Sequence, residues 1–357
     1  MSAGQEKPLA ERIEVPGVSK EAAKKISHLE QEFIRAEVEQ LRQSVPLLQP
    51  LYEKRNKLIT TPEIQNDFWI RVFSNAPADI DEYVLPSDAA ILGQALKNLT
   101  VERFEVDEKG QGEPRSLRFT FEFQTGDENP FFENEKLVKD FYWRTQVTKN
   151  AAGKRRTWEG LVSEPVRINW KEGKDLTKGL LDAACDLAEA EKKGGDRKKL
   201  PEFEKLVNKI GEVQTEAAAA AAEDDEDDED PESPAGVSFF AFFGYRGRSV
   251  SAEESKQGVK EEEERRAKIQ KGEAVDDDDD DDEDDEDDDE DDLEFAEIFP
   301  DGEDLAISIA EDLWPNALKY FVQSYEIAED LEELDDEDWD DEEDDDDEER
   351  PRKKTRV

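Results

Sequence analysis

Leu117-Arg-Phe-Thr-Phe-Glu-Phe-Gln124 alternates large apolar and polar side chains without a break. Successive side chains of an extended strand point to opposite faces, so Leu117, Phe119, Phe121 and Phe123 share one face and Arg118, Thr120, Glu122 and Gln124 the other. Upstream, Phe104 and Val106 alternate with polar neighbours before Gly110-Gln-Gly112 breaks the chain. Downstream come Phe141, Trp143, Thr145 and Val147, then a basic turn at Gly153-Lys-Arg-Arg156, then Val166, Ile168 and Trp170. Consecutive strands joined by short turns predict a four-stranded antiparallel meander with one apolar face.

Further out the period changes from two to that of a helix. Ser87 is the expected cap of a helix through Ala90, Ile91, Leu92, Ala95 and Leu96, and Glu63–Asn75 groups Ile64, Phe68, Trp69, Val72 and Phe73 near one face. From Ser19 to about Thr60, Ala22, Ile26, Leu29 and Phe33 step by three and four, followed after a one-residue shift by Ile34, Val38, Leu41, Val45, Leu48, Tyr52 and Ile59. Ser19 is the expected N-cap, with Glu21 in the first turn. About forty helical residues span about 60 Å at 1.5 Å each, too long for one globule to cover. The stripe predicts pairing with a second copy through Ile26, Leu29, Phe33, Ile34, Val38, Leu41, Val45, Leu48 and Tyr52. Pro46 and Pro50 either bend this helix or divide it into two.

After the strands, Leu176–Lys192, Leu200–Thr215 and Leu305–Ala328 read as helical. The aromatic run Phe239–Phe243 and the last of these segments lie either side of a long acidic stretch, so both are expected on the sheet. Helices before and after a meander make the class α+β. The division that follows is residues 1–18 as a tail, 19–60 as the dimerisation helix, 61–330 as one domain with insertions near 217–232 and 251–292, and 331–357 as an acidic tail.

Charge narrows the function. Acids outnumber Lys and Arg 98 to 48, for a net charge of −50. Glu223–Asp230, Asp276–Asp292 and Glu329–Glu349 hold 43 acids and no base, which leaves a body near −7. Blocks of this kind repel themselves and bury nothing, so they are expected to be disordered acidic segments that attract polycations and repel nucleic acid and anionic membrane. Arg352, Lys353, Lys354 and Arg356 form a terminal basic cluster of nuclear-import type. No apolar stretch approaches the roughly 18 residues of a membrane span, so a soluble intracellular protein of the nucleus is expected, shuttling with the cytoplasm as a variant of that reading.

No catalytic set emerges. His28 is the only histidine and Cys185 the only cysteine, which removes histidine triads and cysteine zinc sites. There is no Gly-rich phosphate loop, and Asp301-Gly-Glu-Asp304 has its glycine second, where a calcium loop needs it sixth. The reading is a binding protein, not an enzyme, with neither cofactor nor metal.

Four blocks together carry a resemblance: Gln49-Pro-Leu-Tyr-Glu-Lys-Arg-Asn56 before Phe68-Trp69; Asp127-Glu-Asn-Pro-Phe-Phe-Glu-Asn134 followed by Leu137, Lys139 and Phe141; Ile168-Asn-Trp-Lys-Glu-Gly-Lys-Asp-Leu-Thr177; and Asp312-Leu-Trp-Pro-Asn-Ala-Leu-Lys-Tyr320. The chain resembles the nucleosome assembly protein family, in particular its SET (template-activating factor) branch and related fungal histone chaperones. The resemblance implies a homodimer of paired long helices, each carrying an "earmuff" of antiparallel sheet and helices, which binds core histones without ATP on the earmuff underside and through acidic tails. It also implies a long helix that runs on through proline. By position in the fourth block, Glu303, Asp304, Glu311 and Asp312 are the candidate histone-binding residues; the alternative is that they merely solvate a helix whose Ile307, Ile309, Leu313 and Trp314 face the core. Members of this branch also imply a second role, as a phosphatase inhibitor or a histone acetyltransferase partner, and an acidic scaffold without an ordered site is a third. The chain departs from the family pattern in its Ala-rich acidic stretch (Ala217–Asp230) and in placing its longest acidic run before Trp314.

Overall fold

The computed structural model describes residues 18–150, 153, 155–223, 237–271 and 296–326. The acids at 224–230, 276–292 and 329–349 and the basic cluster at 352–356 lie outside them.

Helix α1, Lys20–Ile59, is continuous through Pro46 and Pro50, and the Ser19 hydroxyl accepts the Ala22 N–H at 3.2 Å. Helices α2 (Gln65–Phe73), α3 (Ala78–Asp81) and α4 (Pro86–Ala95) follow. α4 begins one residue before Ser87, because the Asp88 carboxylate accepts the Leu85 N–H at 3.1 Å and closes the first turn. Leu96, expected to end that helix, opens β1.

The sheet is β1 (Leu96–Glu102), β2 (Leu117–Phe123), β3 (Lys136–Lys149) and β4 (Arg155–Ser163), antiparallel and in sequence order. The four-stranded meander is as expected, but two of its strands are not. Phe104 and Val106 lie in the arm after β1, where Val106 makes only an isolated bridge to Gly112. Trp170 likewise makes only an isolated bridge, to Phe132, and the fourth strand is Arg-Arg-Thr-Trp-Glu-Gly-Leu-Val-Ser. Arg155, Thr157 and Glu159 stand opposite Lys149, Val147 and Thr145, where the strand pair is covered by polar contacts instead of apolar ones. That half of β4 therefore shows no apolar alternation.

The face carrying Leu117, Phe119, Phe121, Phe123, Leu137 and Phe141 is buried. A 3-10 turn, Phe239–Gly244, drops its four Phe rings onto it: Phe242 lies 5.8 Å from Phe119 and 5.3 Å from Phe141 between ring centroids, and Phe243 5.4 Å from Phe121. Helices α5 (Leu180–Lys192) and α6 (Pro201–Glu223) pack on each other, and α5 packs on that turn. α6 runs on through the alanines expected to be an insertion.

The stretch after Ser249, expected to be a linker, holds helix α7, Ala252–Gln270. Ser251 caps it, accepting the Glu254 N–H at 3.2 Å while the Glu254 carboxylate accepts the Ser251 N–H at 2.8 Å. This reciprocal Ser-x-x-Glu pairing is a recognised helix-start signal. α7 has no apolar stripe to reveal it. It meets β3 through the Ser255 hydroxyl, which accepts the Thr145 N–H at 3.0 Å, and through Gly258, where a Cβ would lie 2.8 Å from the Thr145 carbonyl. Helix α8 (Gly302–Ser308), a π-helical turn (Ile309–Leu313) and a helical stretch at 317–326 end the described chain.

Candidate interaction surface

In the π-helical turn the Trp314 N–H reaches back to Ile309 O at 2.9 Å, one residue further than in an α-helix. Ile309, Leu313 and Trp314 are buried, and Ile307 half-buried, so the core reading of these four holds. Trp314 donates its indole N–H to Leu99 O at 3.3 Å, and the Arg55 guanidinium of α1 lies over the Trp314 and Tyr52 rings, 4.3 and 4.9 Å from their centroids. Arg55 also donates to the Trp314 carbonyl, and burial pushes its pKa down to about 10. This sandwich joins the long helix to the last helical block.

The four candidate acids separate. Glu303 is half-buried and its Oε1 accepts the Leu161 N–H on β4 at 3.1 Å; burial raises its pKa, and that hydrogen bond opposes the rise. Asp312 accepts from Asn316 Nδ2 at 2.8 Å and from the Tyr320 hydroxyl at 2.7 Å, and burial together with this carboxylate pushes Tyr320 up to about 12. Asp304 and Glu311 are exposed, with Glu311 accepting from Arg103 at 3.2 Å. Three of the acids thus have partners within the chain, and two, Asp304 and Glu311, face solvent.

The residues expected at a dimer interface divide in the same way. Leu41, Val45, Leu48 and Tyr52 line a cleft of 740 Å³ between α1 and β1, with Leu99, Val101 and Arg103 on its other wall. Ile26, Leu29, Phe33 and Ile34 are exposed, and Val38 is half-buried. Leu47, Leu51 and Leu58, absent from the sequence reading, are exposed to 73%, 55% and 53%. At 100° per residue they share a face with Ile26, Leu29 and Phe33. The signal was present in the spacing, but Leu47-Leu48 and Leu51-Tyr52 offer two registers, and only packing distinguishes them.

The solvent face of the sheet carries a row that sequence reasoning also missed. Arg118 lies 4.5 Å from the Phe104 ring centroid and makes two 2.7 Å bonds to Asp140; Arg144 lies 4.6 Å from that of Tyr142, and Arg248 5.4 Å from that of Trp158. Tyr, Trp and Arg dominate binding energy where proteins meet. On the other side of the chemistry, the Cys185 thiol is buried and pushed up to about 11, which leaves it protonated and unreactive at neutral pH. No helix among the described residues is long and apolar enough to cross a membrane.

A long helix, a four-stranded meander under helices and a tryptophan-centred terminal block define what must be matched. The family model for nucleosome assembly proteins matches residues 62–324. The chain belongs to the nucleosome assembly protein family. Relatives of this family member include a nucleosome assembly protein of Schizosaccharomyces pombe, 34% identical over 158 residues (44% of this chain, 60% of that one). Protein SET of Drosophila melanogaster is 33% identical over 168 residues (47% and 51%), and NAP1-related protein 2 of Arabidopsis thaliana 31% over 153 (43% and 46%). The chain therefore spans about half the length of the curated relatives it matches. Among solved structures, that of Ccp1 is similar at 27% identity and a TM-score of 0.46, over 85% of this chain and 96% of that one.

Proposed function

We propose that this nucleosome assembly protein family member is a histone chaperone: a homodimer that binds core histones without ATP and deposits or removes them during nucleosome assembly. The observation that carries the reading is the combination of this family's domain with 43 acids in three blocks free of Lys and Arg. Histones are polycations whose affinity for DNA rests largely on counterion release. Many weak carboxylate contacts compete with phosphate for the histone yet release the histone readily. Asp304 and Glu311, with the Tyr142 and Trp158 face, supply the ordered part of the surface. The cluster of Arg352, Lys353, Lys354 and Arg356 directs nuclear import.

The exposed face of α1 supports the dimer. Leu29 and Leu51, Phe33 and Leu47, and Ala36 and Ser44 lie equally far from Gln40, so the stripe reads alike in both directions. A two-fold antiparallel pair with Gln40 on its axis sets Phe33 on Leu47 of the partner subunit. Leu47→Asp with Leu51→Asp then gives monomers in sedimentation, while Leu41 and Val45 serve the cleft.

The deciding experiment measures binding of the full chain to each purified histone pair over a range of salt, before and after deletion of the three acidic blocks. The expected result is high affinity that falls with salt, and weaker binding with a flatter salt dependence after deletion, most of it removed by Asp304→Ala with Glu311→Ala. Equal affinity and equal salt slope in both proteins would overturn the reading.

A further inference from the structure

Asp88 and Lys139 are fully buried and Glu297 is half-buried, and all three spend hydrogen bonds on backbone groups. Asp88 is fully buried and accepts the Phe239 N–H at 2.8 Å and the Ser238 hydroxyl at 2.5 Å. Lys139 is fully buried on β3 and donates to Tyr245 O at 2.6 Å, Glu164 O at 2.8 Å and Phe243 O at 3.1 Å. Glu297 accepts the Arg246 and Gly247 N–H groups at 2.9 and 3.1 Å with one oxygen, and the Phe299 N–H at 3.2 Å with the other.

Their positions along the chain share a pattern. Ser238 and Phe239 follow directly on the stretch 224–236 that carries the first acidic block. Phe243 to Gly247 lead into α7, which ends shortly before the seventeen acids at 276–292 in the sequence, and Glu297 stands shortly after them. Lys139 thus takes the carbonyls of the strap at 243–247 while Glu297 takes its amides, and the same carboxylate fixes the returning strand of chain. A buried charge is costly unless it is fully satisfied, and an apolar residue of similar size often serves stability as well. Uncharged packing would have sufficed for a core. What distinguishes Ser238 and Glu297 is their place a few residues along the chain from blocks of eight and seventeen like charges, which repel themselves.

We propose that Asp88, Lys139 and Glu297 are anchors that hold the chain flanking the two acidic blocks in place against the repulsion those blocks generate. The anchors act whether or not a histone is bound. When a polycation neutralises the acids the repulsion disappears, so binding there is felt at the anchors.

Hydrogen exchange on the full chain tests this. Lys139→Met strips three carbonyls of their donor and endangers the fold, so the near-isosteric Glu297→Gln and Asp88→Asn carry the experiment. Glu297→Gln speeds exchange at 244–250 and 296–299, and Asp88→Asn at 237–240, each by roughly tenfold or more through local opening. Deleting 276–292 restores protection in the first variant and deleting 224–230 in the second, each without helping the other, and added salt restores both by screening. Acceleration that neither deletion nor salt reverses would show that these residues are polar core groups only. No acceleration at all would likewise overturn the proposal. Histone affinity is not the readout, so failure here is distinct from failure of the chaperone reading.

Discussion

The two halves of β3 belong to one strand but are held by different chemistry. From Leu137 to Phe141 it pairs with β2 and lies under the phenylalanine turn, in a packed apolar core. From Trp143 to Lys149 it extends past β2; Ser116 and Ser255 take the N–H groups of Trp143 and Thr145, and α7 covers it through a serine, a glycine and charged pairs. Apolar area stabilises wherever it is removed from water, whereas polar contacts exchange one partner for another and gain little net. The first half should therefore be the stable root of the domain and the second a projecting arm that is cheaper to open.

The comparison breaks most visibly at its apolar end. Phe242→Ala removes a ring packed on Phe119, Phe141 and Phe299 and should cost about 3–5 kcal/mol, measured by denaturant unfolding. A loss no larger than that of a change in the arm would erase the distinction.

Lys139 lies in the middle of the apolar half, and burial pushes its amine down to about 7, against the opposing influence of Glu297, Cys185, Glu164 and Asp140. Below that pH both the folded and unfolded chains carry the proton and the burial cost is felt in full. Above it the folded chain releases the proton while the unfolded chain keeps it to about 10.5. Stability should thus rise with pH between about 7 and 9, by on the order of 1 kcal/mol per unit. A thermal-unfolding series of the unaltered protein that stays flat over this range would refute the assignment.

The smallest effects belong to the arm. Ser255→Ala leaves the Thr145 N–H without an acceptor and should cost about 1 kcal/mol, with faster exchange along α7 and 143–149 but an unchanged sheet root. Glu262→Gln weakens its contacts to Arg155 and Thr157 at the surface and should stay within about 0.5 kcal/mol, a difference a double-mutant cycle with Arg155 can resolve.

The same contrast marks what was legible beforehand. β2 and the phenylalanine run were readable because burial of one face writes itself into the sequence as alternation. β4 and α7 were missed because each is held by polar and small side chains, whose pattern resembles a linker; only the Ser251–Glu254 pair announced the helix. Among the four candidate acids, no local feature separates Glu303 and Asp312, which the fold half-buries, from Asp304 and Glu311, which it leaves exposed.

By itself the sequence determined the α+β meander, the long capped helix, the family blocks and the concentration of charge in three segments, since periodicity and like-charge repulsion act over a few neighbouring residues. Only the tertiary structure decided which leucines of α1 face outward, that Pro46 and Pro50 leave the helix whole, and that Lys139 and Glu297 grip the same strap from opposite sides. Those outcomes depend on what lies across the fold, Arg103 and Val101 facing Tyr52 and Tyr245 facing Lys139, and spacing along one segment carries no record of its partner in another.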